Sequence, residues 1–520
     1  MRYFVAQMSL SPDDVRRITD LLEAIDQDRT LLAPLSDDDR VALLSAAGRV
    51  AMPERKALDR LKKAKRHQRG KVRREHDKVL RDQTGIREAR KAPVFAGVPL
   101  LPPRRDVDPE AQAAEEPPAK LLQEPRDCYV CKAEYRRIHH FYDSMCWSCG
   151  ELNYRKRFQA TPGLLDGKVA LITGARVKIG YQASLMLLRS GARVIATTRF
   201  PTDASVRYQR EPDFNQWGHR LHLHGLDLRH APSVELFAQH IGKTHERLDI
   251  LINNAAQTVR RPPGWYRNLL EVETQRWSAL SPVQQRLLDG HHACIGTLRG
   301  EEPATTTLPS WRSHDPGLGI HSSATLSLVP YNLEQEADAE HLFPEGRLDA
   351  DLQQVDLRDV NSWRLTLSQV ATAEMLEVHL VNAVAPFILC GKLKEVMLRD
   401  RREPGHIVNV SAMEGSFSRG TKTDKHPHTN MAKAALNMMT LTSAPDYKKS
   451  NLYMNAVDTG WVTDEDPMIH AERKKQERDF SPPLDIVDGA ARVVDPALEA
   501  IRTGVCVSGL FLKDYLPTRW

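Results

Sequence analysis

Four cysteines fall in two matched pairs, Cys128-x-x-Cys131 and Cys146-x-x-Cys149, with 14 residues between the pairs. Thiols at that spacing fit on one tight knuckle, and two knuckles complete a tetrahedral thiolate site of the kind zinc takes. With four protein ligands no position stays open for water, so the expected role is structural. His139 and His140 lie between the pairs and could replace one thiolate. A second constellation begins at Thr173. The turn Gly174-Ala175-Arg176-Val177-Lys178-Ile179-Gly180 follows the β-branched run VALIT and precedes the helical stretch YQASLMLLRSG. A strand, a glycine turn and a helix in that order aim helix amides at a pyrophosphate.

Five more strand-like runs follow. ARVIATTR ends at Arg199. LHLHGLDL ends near Asp227, which could hold the adenine end of a cofactor. LDILINNAA closes on Asn253, Asn254 and Ala255. HIVNVSA contains Ser411, and YMNAVDTG ends at Gly460. Asn382 lies in the helical stretch EVHLVNAVAPFIL, and His428, Thr429 and Lys433 lie in HTNMAKAALNMM. Short apolar strands alternating with amphipathic helices predict an α/β fold, a Rossmann doubly wound parallel sheet.

Jointly, from about Gly163 to Tyr515, these segments resemble the short-chain dehydrogenase/reductase superfamily. The match lies in a T-G-x-x-x-G-x-G-like turn, N-N-A-A, a helix asparagine, an I-V-N-x-S-like strand and a helix lysine. The resemblance implies an NAD or NADP cofactor held by Thr173, Gly174, Ile179, Gly180, Asn253, Asn254, Ala255, Lys433 and Gly460. It also implies hydride transfer to or from a carbonyl or alcohol carbon, with Asn382 and Lys433 holding the ribose and a proton-relay water. NAD-specific members carry an acid at the end of the second strand. Here that place reads Thr197-Thr198-Arg199, so Arg199 is expected to meet a 2′-phosphate, with Arg176 and Lys178 adding positive charge. NADP is therefore expected over NAD.

Three departures stand out. Lys178 replaces the middle glycine of the turn. Thr429 occupies the place of the proton-transferring tyrosine, and Ala412 that of the substrate-orienting serine, while Ser411 matches the non-catalytic first serine. A threonine hydroxyl cannot be brought near neutrality by one ammonium group, so His426 and His428 in the longer loop are the candidate substitutes. Finally, 127 residues separate Asn254 from Asn382. This insertion, about 259–362, holds RRPPGWYR, expected beside the nicotinamide pocket as part of a lid or recognition element. Two functions are open at this point. One is an NADP-dependent oxidoreductase with an altered centre, in which Ser411, His428 or Thr429 positions the substrate oxygen. The other is a catalytically silent NADP-binding scaffold or sensor whose zinc module contacts partners.

Around this frame, 520 residues suggest two or three domains. Residues 1–91 read as helical, 92–125 as a Pro- and Ala-rich linker, 126–160 as the cysteine module and 163–520 as the Rossmann domain. Ser11-Pro12-Asp13-Asp14 opens one helix and Ser36 a second, expected to bury Val41, Leu43, Leu44 and Val50; 54–91 reads as one long exposed helix. Residues 60–74 carry nine Lys or Arg and no acid, a stretch that could contact protein or nucleic acid. No run of 18 apolar residues appears, so no membrane span is expected. Cysteine usage fits a reducing cytosol, hence a cytoplasmic protein. A homo-oligomer follows from the family resemblance.

Overall fold

The computed structural model describes residues 10–92, 94–95, 120–298, 315–329, 339–399 and 403–520. It divides into two units, residues 1–77 and 78–520. In the first, helix α1 (Pro12–Gln27) begins at a reciprocal cap: Ser11 Oγ accepts from the Asp14 amide at 3.1 Å, and Asp14 accepts from the Ser11 amide at 3.0 Å. Helix α2 (Asp37–Ala51) is capped by Ser36 on the Asp39 amide. The expected burial fails: Val41, Leu44 and Val50 are exposed, as are Val15, Ile18, Leu21 and Leu22 of α1. Leu32 is the one buried apolar side chain among this unit's described residues. Helix α3 (Arg55–Asp82) carries 60–74 on largely exposed residues.

The segment read as a helix to Lys91 breaks after Asp82. The short helix Gly85–Ala89 then docks through Ile86, which is fully buried, and through backbone bonds from Gly85 and Ile86 to His140 and Phe141. Strands β1 (Leu121–Asp127) and β2 (Glu134–Arg137) form an antiparallel hairpin. β1 thus starts within the stretch read as linker, held by the buried Leu122. Helix α4 (Trp147–Arg157) follows, with Cys146 at its N-terminal cap.

The central sheet contains β3 (Val169–Thr173), β4 (Arg193–Thr198), β5 (Leu221–Gly225), β6 (Ile250–Asn253), β7 (Gly405–Ser411), β8 (Leu452–Asp458), β9 (Phe511–Lys513) and β10 (Leu516–Thr518), in the order β10-β9-β8-β7-β6-β3-β4-β5. All neighbours are parallel except the β9–β10 hairpin. Alternation along β3 sorts the layers. Ala170 and Ile172 pack with α5 (Lys178–Arg189) and α11 (Ile486–Thr503), together with Leu287 and Leu288 of α7 (Pro282–Leu298). Val169 and Leu171 face the other layer, α6 (Ala231–Thr244), α9 (Ala385–Met397) and α10 (Pro427–Lys449). This is the doubly wound α/β sheet expected. The chain runs β3-β4-β5 outward, then returns to β6 on the other side of β3. Between β3 and β6 lies the switch point, where such sheets open a crevice at the carboxyl ends of their strands. The helical run from α8 (Thr372–His379) through α9 has the length and apolarity of a membrane span, yet α9 packs on α6 in the core.

Candidate functional site

A cleft of about 1370 Å³ opens above the switch point. Its floor is the phosphate turn, and two glycines are obligatory there. Gly174 is left-handed (φ +68°), and a Cβ on it would lie 2.8 Å from Ala255 Cα. A Cβ on Gly180 would lie 2.2 Å from the Gly174 carbonyl oxygen. Asn254 Nδ2 donates to the carbonyls of Thr173 and Gly174 at 2.9 and 3.2 Å, while Thr173 Oγ1 accepts from the Asn254 and Ala255 amides. Thr173 and Asn254 thus brace the turn. Asn253 is buried in the sheet, its amide donating to Asn409 Oδ1 at 2.8 Å. Lys178 takes the family's glycine position in a left-handed conformation (φ +55°) and lines the cleft with Ile179. No side chain caps α5, so its first amides are free for an anion.

At the end of β4, Arg199 donates to Ser327 Oγ at 3.0 Å and to the Tyr266 hydroxyl at 2.8 Å, its guanidinium 4.8 Å from the Tyr266 ring centroid. Among the described residues it bonds no carboxylate. Arg176, also lining the cleft, pairs with Asp203 at 2.8 Å. Asp227 is gripped on both oxygens by Arg229. Burial opposes its charge, and Arg229 outweighs burial, holding the carboxyl below its usual range. The insertion reaches the Arg199 end, where Tyr266 and Ser327 seat that guanidinium, while Arg260 at the start of RRPPGWYR donates its amide to Ser362 Oγ at 2.8 Å and pairs with Glu377 of α8 at 3.5 Å. Tyr266 is held there by stacking on Phe200, just past β4, and it meets its neighbour Trp265 edge-on.

Toward α10 the polar groups are largely engaged. Asn382 sits in a π-turn (Leu380–Val384) that bulges the α8–α9 run, and its amide makes both backbone bonds of Gln257, at 2.7 and 3.0 Å. Ser411 Oγ donates to Asn437 Oδ1 at 2.5 Å. Thr429 and His428 are buried and are absent from the residues lining the cleft. Among the described residues the Thr429 hydroxyl has no partner and neither His428 ring nitrogen is hydrogen-bonded, Nε2 standing 3.8 Å from Glu374. Burial, aided by His426 and His379, lowers His428 to about 4, so it is neutral at physiological pH.

Lys433 does line the cleft. Its ammonium donates to the Val410 carbonyl at 2.8 Å, and burial lowers it to about 8, with Glu414 pulling the other way. Gly415 lets the chain carrying Glu414 approach, since a Cβ there would be 2.6 Å from the Lys433 carbonyl carbon. His426 stacks on Trp363 at 3.8 Å and faces the cleft, as does Asn430, whose Oδ1 is buried without a partner. Asn430 was legible in principle: one residue past Thr429 on a helix is a rotation of about 100°. Trp363 carries no local signal. Gly460 (φ +76°), at the end of β8, closes this side.

In the cysteine module, all four Sγ atoms lie within 4.8 Å of one another, Cys131 and Cys146 at 3.7 Å, with no disulfide. Zinc–sulfur bonds of about 2.3 Å require sulfur–sulfur edges of about 3.8 Å, so the donor set fits a tetrahedral ion. His139 and His140 group with Glu151 instead. His139 Nδ1 accepts from the Phe141 and Tyr142 amides, leaving it no lone pair for the cysteine site.

Comparisons with known proteins agree with this geometry. The short chain dehydrogenase profile matches residues 168–284, and the enoyl-(acyl carrier protein) reductase profile 330–481. An uncharacterised protein of Acanthamoeba polyphaga mimivirus, R665, is 30% identical over 388 residues, 71% of each chain. Mouse retinol dehydrogenase 14 is 37% identical over 117 residues, 20% of this chain and 34% of that enzyme, so the match spans about a third of its length. A metagenomic short-chain oxidoreductase in complex with NADP overlaps 69% of this chain and 100% of its own at 17% identity, with a TM-score of 0.38. From the glycine turn through the braced asparagines to Lys433, the chain belongs to the short-chain dehydrogenase/reductase superfamily.

Proposed function

We propose that this protein is an NADP-dependent oxidoreductase acting on a carbonyl or alcohol group, with Lys433 as the proton-holding group of a rebuilt centre. The observation that carries this is the burial of the Lys433 ammonium in the same cleft that the phosphate turn and Arg199 face. The α5 amides, Lys178 and Arg176 would hold the pyrophosphate, and Arg199 the 2′-phosphate. When bound, NADP supplies or accepts the hydride. Lys433 keeps a proton at Nζ below about pH 8 and can release it to a developing alkoxide, as general acid–base work requires. Asn430 and His426 are the polar groups left to orient a substrate oxygen. The four cysteines would hold one structural zinc. Exposed Phe387 on α9, with Met438 and Leu441 on α10, supports pairing of two copies, and the exposed run 60–74 supports contact with an acidic protein surface or nucleic acid. Fluorescence titration with NADPH and NADH, then NADPH oxidation against an aldehyde panel, tests the reading; no binding of either cofactor would sink it.

A second reading has its own observation. Thr429 and His428 are buried and absent from the cleft lining, and Ser411 is bonded to Asn437, which is what a silent NADP-binding scaffold needs. NADPH binding without turnover, in native protein and Lys433→Ala alike, selects it.

A further inference from the structure

The cysteine module contributes to the cleft. Tyr129, between Cys128 and Cys131 in the first knuckle, lines it. Its hydroxyl accepts from the Trp461 amide at 2.9 Å and stands 3.2 Å from where a Cβ on Gly460 would be. Among the described residues the hydroxyl's own proton finds no acceptor. Lys513 hangs over the ring, 5.9 Å from its centroid, and bonds Asp458 at the end of β8.

Behind Tyr129 the module and the cleft wall share one core. Cys128, Tyr135, Tyr142 and Met145 pack with Val462, Leu484 and Ile486, the two ends of the segment that follows β8. Buried polar bonds lock the arrangement to α11. Arg157 pairs with Asp485 and Asp488 at 2.7 and 2.8 Å, the Tyr142 hydroxyl donates to Asp488 at 2.5 Å, and Arg492 donates to Asn153 at 2.6 Å. Charges buried this deeply tolerate no sliding, because a displaced partner leaves its mate unpaired. Two knuckle turns as short as these have little core of their own to hold them.

We infer that Tyr129 is a ligand-contacting residue of the dinucleotide cleft and that metal at the four cysteines sets the cleft's affinity by fixing Tyr129 and the Gly460–Pro467 wall. This rests on the NADP and zinc readings above. Metal loss would let the knuckle relax, withdraw the acceptor from the Trp461 amide and loosen the wall.

The test uses the full chain. Zinc is counted by mass spectrometry, and NADPH affinity is measured on native, chelator-stripped and zinc-restored protein and on Tyr129→Phe and Tyr129→Ala. Amide exchange of residues 460–467 is followed in parallel, with no cofactor present. Expected are one zinc per chain, an affinity about tenfold weaker on stripping, the worth of about one hydrogen bond, and recovery on restoring zinc. Tyr129→Ala should weaken NADPH comparably with its zinc retained, Tyr129→Phe less, and exchange at 460–467 should quicken in stripped protein. A stripped protein with native affinity and exchange, or a zinc-replete Tyr129→Ala with native affinity, overturns the inference. So does native protein without metal. Should stripping unfold the chain, Tyr129→Ala decides. If native protein binds no NADPH, the NADP reading and the affinity claim fall, while quickened exchange would still establish that metal holds the wall.

Discussion

At the end of β4, Arg199 rests on two hydroxyls and an aromatic face; beside α10, Ser411 is bonded to Asn437, Asn382 to the Gln257 backbone, and Thr429 and His428 are buried and absent from the cleft lining. The first end keeps a guanidinium that, among the described residues, is bonded to hydroxyls and to no carboxylate, an arrangement open to a charge-assisted bond with an anion. The second has Ser411 and Asn382 engaged, while Asn430, His426 and the Lys433 ammonium, which donates to the Val410 carbonyl, face the cleft. On the proposed reading, the contrast separates nucleotide binding from acid–base chemistry, with the binding end kept and the reacting end built around the ammonium.

The largest effect should come from Lys433. Lys433→Ala is expected to lower turnover by about 10²–10⁴-fold, far more than it weakens NADPH. Because burial lowers this group to about 8, carbonyl reduction should fall as pH rises through that value, and Lys433→Arg should remove the limb from the rate profile. A flat profile in native protein would end the distinction between the two ends. Next is Gly180→Ala, whose Cβ meets the Gly174 carbonyl: thermal unfolding should show a loss of about 3 kcal/mol, and NADPH titration should show loss of binding. Arg199→Ala should weaken NADPH by about 10–100-fold, as loss of a charge-assisted bond does, with NADH little changed. Equal weakening of both would remove the 2′-phosphate from that site. The smallest effect belongs to Thr429→Val. Replacing a buried, unpartnered hydroxyl with an isosteric methyl should leave turnover within about threefold and raise stability by up to about 1 kcal/mol, read by chemical denaturation. A large drop in turnover would return Thr429 to the centre.

The frame was legible because its signals are local. VALIT, ARVIATTR and HIVNVSA each read as a strand from a few consecutive side chains, and Ser11 and Ser36 cap helices within one turn. The β9–β10 hairpin escaped because its two-residue turn, Asp514-Tyr515, is left-handed at both positions without the glycine or asparagine that announces such turns. The helices of the first unit misled about burial, since periodicity reports that a face is apolar and says nothing about what covers it. His428 and Thr429 misled for a related reason. A residue type can suggest an acid, but only the rotation of α10 about its axis decides whether the side chain meets the cleft.

By itself the sequence determined the Rossmann order, the two glycines of the phosphate turn, an arginine and no acid after β4, a threonine four residues before Lys433, and four thiols at zinc spacing. Each is read from neighbours along the chain. Tertiary structure alone decided that Tyr266 and Ser327 seat Arg199, that Asn430 and His426 face the cleft in place of Thr429 and His428, and that Tyr129 reaches Gly460. These contacts join segments tens to hundreds of residues apart, where packing of whole helices and loops, and no local preference, chooses which side chain faces which space.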